Sequence, residues 1–141
     1  MQRVIEGHKK FLAEVFPKKR DQYHLLAESQ APEWLFITCS DSRIVPDLIL
    51  GTGPGDLFIS RSIGNVVPVT MNDVDGVTAT IEYAVDVLKV PYVILCGHSD
   101  CGAIKAAITS DHSMSDRNCG SASVSMNASG TRARMKIKVR P

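Results

Sequence analysis

Two short stretches of this chain hold side chains whose types and spacing could bind a metal: Cys39-Ser40-Asp41-Ser42-Arg43 and His98-Ser99-Asp100-Cys101. On an extended backbone alternate residues share a side, so Cys39, Asp41 and Arg43 would face together. Two thiolates and one imidazole from separate segments make a donor set that suits Zn²⁺ and leaves one tetrahedral position open. Three protein ligands plus water is the pattern of catalytic zinc. Plainer readings compete. Free cysteines are often small buried hydrophobes, and His-x-x-Cys arises by chance. A closed structural site would need Cys96, placed on a strand and pointing into the core, or Cys119, in an unpatterned segment. Disulfide pairing among the four cysteines would require an oxidising compartment. A thiol redox module built on Cys96 and Cys101 lacks the Cys-x-x-Cys spacing.

The elements around these stretches read as alternating strands and helices. Val4, Ile5, Phe11, Leu12, Val15 and Phe16 form one helical stripe that Pro17 interrupts, and a second helix is predicted from Lys18 to Glu28. Trp34–Thr38 reads as a buried strand, Leu57–Ser60 as a second after the Gly51–Gly55 turn cluster, and Tyr92–Cys96 as a third. Between the last two, Val77, Ile81, Ala84 and Leu88 mark a helix that Asp73 or Asp75 could cap. Ala103–Ile108 begins another helix, after which no period is sustained. Strands separated by helices imply crossover units and a mainly parallel sheet, an α/β fold with flanking helices and an N-terminal helical arm. Both candidate stretches then lie beyond strand C-terminal ends, where ligands gather in open α/β sheets.

Composition limits the alternatives. With 141 residues, 44% hydrophobic and 22% charged, the chain has the balance of one soluble domain. Residues 1–108 carry 10 Lys and Arg against 13 Asp and Glu, whereas residues 109–141 carry 6 against 2. The mildly acidic body argues against nucleic acid as a partner, and the Ser-rich basic end reads as a flexible extension. No apolar run approaches the roughly 20 residues of a membrane span, and the N-terminus lacks a secretory block, so no membrane partner and a cytoplasmic location are expected. His8, His24 and His112 have no partners at ligand spacing and read as surface residues. The glycines from 51 to 55 lack the Lys-Ser/Thr of a phosphate loop and read as a turn.

The two metal stretches, together with Pro54-Gly-Asp-Leu-Phe58, Arg61, Gly64-Asn65, Ile81-Glu-Tyr-Ala84 and Cys96-Gly-His-Ser-Asp-Cys-Gly102, resemble a β-class carbonic anhydrase over residues 1–108. The resemblance implies zinc held by Cys39, His98 and Cys101. It implies reversible hydration of CO2 to bicarbonate and a proton by hydroxide on the metal. Asp41, paired with Arg43, would control the fourth position and join the metal only in a closed form. Gln30, Phe58, Ile63, Tyr83 and Gly102 would contact CO2 or bicarbonate, partly across the interface of a homodimer or higher homo-oligomer. Some members of the family close the metal with the aspartate and bind bicarbonate beside a tryptophan three residues before the first cysteine. Phe36 stands there in this chain and, with Gln30, favours the open form.

The sequence departs from the family at Ser62-Ile63, where Asn-Ala is usual, and beyond about Ile108, where the family continues with further helices and a strand. Residues 1–108 are therefore expected to form the zinc-binding α/β part, C-terminally truncated, with residues 109–141 as a tail. Two rivals follow: a weak or inactive zinc-binding fragment, and a hydrolase of carbonyl sulfide or carbon disulfide.

Overall fold

The computed structural model describes residues 1–67, 75–109 and 135–139. His112 and Cys119 lie outside the described residues. The chain divides into two compact units, Met1–Ala31 and Pro32–Pro141.

The first unit is helical. α1 (Gln2–Lys10) runs into a wider π-helical turn at Phe11–Val15 and a tight turn at Phe16–Lys19, and α2 (Arg20–Glu28) follows. Pro17 sits at the start of the tight turn, as its missing N–H allows. Phe11, Phe16 and Tyr23 hold the bend, with ring centroids 5.5 to 6.3 Å apart. His8 stacks on Phe11 at 6.5 Å, which gives it a packing role.

The second unit is built on a sheet of four strands in the order β2-β1-β3-β4. β1 (Trp34–Cys39) is central and pairs in parallel with β2 (Leu57–Ser62) and β3 (Tyr92–Cys96). Its near-continuous apolar run is what a strand covered on both faces needs. Leu35 and Ile37 pack on one face with Ala84 and Val90, and Phe36 packs on the other with Ile94 and Cys96. Cys96 thus belongs to the core, where burial pushes its thiol up from the ordinary value. Thr38, fully buried between strands, donates its hydroxyl to the Cys96 carbonyl at 3.0 Å.

The crossovers carry α3 (Pro46–Leu50) after β1, α4 (Gly76–Glu82) before β3, and α5 (Gly102–Thr109) after it. α3 is too short for periodicity to reveal. α4 continues into a π-helical turn at Tyr83–Val87, and Asp75 caps it by accepting from the Val77 and Thr78 N–H groups at 2.7 and 3.1 Å. Beyond residue 109, where no regular element was expected, β4 (Met135–Val139) pairs antiparallel with β3 in the register Ile94↔Ile137. Its five residues, Met-Lys-Ile-Lys-Val, follow a Ser-rich tract with few bulky apolar residues and lack the continuous apolar run that marks β1 and β3.

Candidate metal centre

Parallel pairing brings the C-terminal ends of β1 and β3 side by side, and both ends lead directly into the chemistry-bearing residues. Cys39 is the last residue of β1, while His98 follows β3 after Gly97 and Cys101 immediately precedes α5. Their ligand atoms all lie within 4.8 Å of one another, with the two sulfurs 3.9 Å apart. All three side chains are buried, His98 being 5% exposed. Among the described residues this is a group of three metal-ligating side chains drawn from positions far apart in the chain.

Each donor is prepared by its surroundings. The His98 Nδ1 lies 2.9 Å from the Ser99 carbonyl oxygen, so Nδ1 carries the proton and Nε2 presents a lone pair. That Nε2 is buried and has no hydrogen-bond partner. An orphaned buried nitrogen costs free energy unless a cation or donor meets it, and two sulfurs stand beside it. Burial raises the Cys39 thiol, but the neighbouring His98 ring, the Asp41 and Gly64 backbone N–H groups and the Cys101 thiol outweigh it and bring the value down to about 7. The Gly64 N–H donates to the Cys39 Sγ at 3.3 Å. Cys101 sits at the N-terminal end of α5, where its carbonyl accepts from the Lys105 N–H at 3.0 Å. The donor set and the unpaired lone pair fit a zinc ion held by Cys39, His98 and Cys101.

Asp41 and Arg43 stand beside this group. Arg43 donates Nε to Oδ1 at 2.9 Å, Nη2 to Oδ2 at 2.8 Å and its backbone N–H to Oδ1 at 2.9 Å. These bonds hold the Asp41 carboxyl well below the usual carboxylate range. Oδ2 is also 3.8 Å from the His98 Nε2. The same Nη2 of Arg43 donates to the Asp100 carbonyl at 3.2 Å, which ties the turn after β1 to the turn after β3. Asp100 adopts a left-handed conformation (φ 63°) and pairs with Lys105.

Of the residues expected to contact substrate, Phe58 and Tyr83 come together, with ring centroids 5.8 Å apart and planes inclined by 31°. Phe58 also packs on the Leu35/Ile37 core, and Tyr83 is 45% exposed. Ile63 is exposed at the turn after β2. Gly102 opens α5, next to Cys101. Gln30 belongs to the first unit and is exposed there. Phe36 is fully buried in the sheet.

Two residues had no role assigned from sequence. Arg61, on β2, donates to the carbonyls of Cys39, Asp41 and Ile44. Gly64 adopts φ 69°, and a Cβ there would stand 3.3 Å from the Ala103 Cβ. The available signals were a charge directly after the predicted Leu57–Ser60 strand and a glycine three residues further on.

A family model described as carbonic anhydrase matches residues 34–138. Over 106 residues the chain is 46% identical to a carbonic anhydrase from Pseudomonas aeruginosa, covering 75% of this chain and 48% of that protein. It is 44% identical over 108 residues to one from Synechococcus elongatus, covering 77% and 40%. Among solved structures, the β-carbonic anhydrase CcaA superposes with a TM-score of 0.75 at 43% identity, over 79% of this chain and 55% of that one. A tetrameric β-carbonic anhydrase from Sordaria macrospora gives 0.66 at 41% identity, over 76% and 53%. The chain spans about half the length of the curated relatives it matches.

Proposed function

The chain belongs to the β-class carbonic anhydrase family, and on that premise we propose that it catalyses the zinc-dependent, reversible hydration of CO2 to bicarbonate and a proton. The observation that carries the reading is the convergence of Cys39, His98 and Cys101 with the Arg43-bound carboxylate of Asp41 beside them. Zinc in that position would supply Lewis acidity, bringing the pKa of a coordinated water from about 15.7 to about 7. The protein's own groups do the rest. Asp41, kept ionised by Arg43, accepts a hydrogen bond from the attacking oxygen and orients it. Arg43 occupies both carboxylate oxygens and so keeps Asp41 from closing the open ligand position. Phe58, Tyr83 and Ile63 offer apolar surface to a linear uncharged gas, and the backbone at Gly102 is a donor for bicarbonate.

In this reading residues 1–108 are the zinc-binding α/β part, and residues 109–141 are a basic segment whose Met135–Val139 pairs with β3. The working form is a homodimer or higher homo-oligomer in the cytoplasm, a state supported by the tetrameric relative. No helix among the described residues is long and apolar enough to cross a membrane.

Stopped-flow CO2 hydration and zinc content, measured on one purified sample of the 141-residue chain, test the proposal. Hydration should scale with bound zinc and vanish on chelation. Full zinc with hydration no faster than buffer would overturn it in favour of a non-catalytic zinc protein, and parallel assays with carbonyl sulfide and carbon disulfide would expose a hydrolase.

A further inference from the structure

We propose that Arg61 is a positioning residue of this metal centre, setting where Cys39 and Asp41 stand by gripping the backbone of the turn that carries them. The inference rests on reading Cys39, His98 and Cys101 as the ligands. Arg61 is in register with Thr38, one residue before Cys39, so its guanidinium starts beside the turn it serves. Its Nε donates to the Cys39 carbonyl at 3.2 Å, and its Nη2 donates to the Asp41 carbonyl at 2.7 Å and the Ile44 carbonyl at 3.0 Å. One planar group thus fixes three carbonyls of a six-residue turn whose first member is a ligand.

The two arginines divide the work. Arg43 holds the Asp41 side chain, whereas Arg61 holds its backbone. Only a rigid fork can aim Nε and Nη2 in these directions together, so the single ammonium of lysine cannot replace it. The turn is partly solvated, and carbonyls released by removing Arg61 would find water. The turn would therefore loosen without collapse, and the sulfur and carboxylate would spread over more positions.

The full chain is compared with Arg61→Ala and Arg61→Lys by competition for zinc against a chromophoric chelator, by the absorption spectrum of the cobalt(II) form, and by unfolding of the metal-free protein. Arg61→Ala should weaken zinc binding about 10–100-fold and alter the cobalt spectrum. Methylguanidinium should restore part of both, and Arg61→Lys should not. A merely structural role would shift unfolding while leaving the folded protein's zinc affinity within about twofold and its cobalt spectrum unchanged, which overturns the proposal. If Arg61→Ala does not fold, Arg61→Gln is read against the same expectations. If the wild-type chain binds no zinc, the proposed function fails, and Arg61 is judged by amide hydrogen exchange at residues 40–44. Faster exchange in the variant supports the grip, and unchanged exchange overturns it.

Discussion

Arg43 meets Asp41 two positions away as a forked pair, with both carboxylate oxygens engaged at 2.8 and 2.9 Å. So short a sequence separation is possible because the chain turns between them, the Ile44 N–H donating to the Asp41 carbonyl at 3.1 Å. The pair also reaches the second ligand-bearing turn through Asp100. It therefore sets the orientation of a carboxylate beside the Cys39, His98 and Cys101 cluster and joins the two segments that supply it.

Replacing Arg43 with methionine removes that grip and leaves Asp41 free to turn toward the metal position. CO2 hydration should fall about 10–100-fold with zinc retained. X-ray absorption at the zinc edge should gain a carboxylate ligand. A variant with normal turnover would show that Arg43 has no part in holding Asp41 for catalysis.

Cys101→Ala deletes one of three donors and leaves the orphaned His98 Nε2 beside a single sulfur. Zinc per chain, measured by plasma mass spectrometry after dialysis, should fall well below that of the wild type. Cys96→Ala is the control, because that thiol is packed with Phe36 and Ile94. It should lose stability and keep its zinc. Equal zinc loss in both variants would remove the distinction drawn between core and ligand cysteines.

Gly64→Ala forces a side chain into a left-handed backbone and against Ala103. The conformational cost is about 1–2 kcal/mol, before any shift of the N–H that donates to Cys39. Urea unfolding of the metal-free protein should show a lower midpoint, and an unchanged midpoint would mean that the turn relaxes freely.

Asp75 provides a pH dependence remote from the metal. Hydrogen bonds from the Thr78 hydroxyl and backbone N–H, with that of Val77, hold its carboxyl below the ordinary value of 3.8. A depressed folded-state value means that the contribution is fully present above the unfolded value and is lost as pH falls through the folded one. Acid unfolding of Asp75→Asn, which keeps a capping oxygen, should show a shallower pH dependence than the wild type below about pH 4. Parallel curves would assign the acid sensitivity elsewhere.

The three parallel strands were legible in the sequence because each is a bulky apolar run bounded by turn residues, and the ends of Tyr92–Cys96 were read without error. The cluster of Cys39, His98 and Cys101 was legible because two of the three are cysteines followed or preceded by charged and polar residues at strand ends. β4 was not, since Met135–Val139 alternates apolar and basic residues within a polar tract and gains its place from the edge of β3. α3 escaped because its five residues make little more than one helical turn. The role of Arg61 was hidden for a different reason: its partners are backbone carbonyls 17 to 22 positions away, and carbonyls have no residue type to read.

The central position of β1 also bears on how the chain acquires its shape. Its neighbour β3 brings together residues such as Thr38 and Cys96, 58 positions apart, before the sheet can grow on that side. Closing so long a segment is entropically slow, and topologies dominated by distant pairings refold more slowly than helical bundles of similar size. The rate-limiting encounter should be the docking of β3 on β1, the same event that first brings His98 and Cys101 near Cys39.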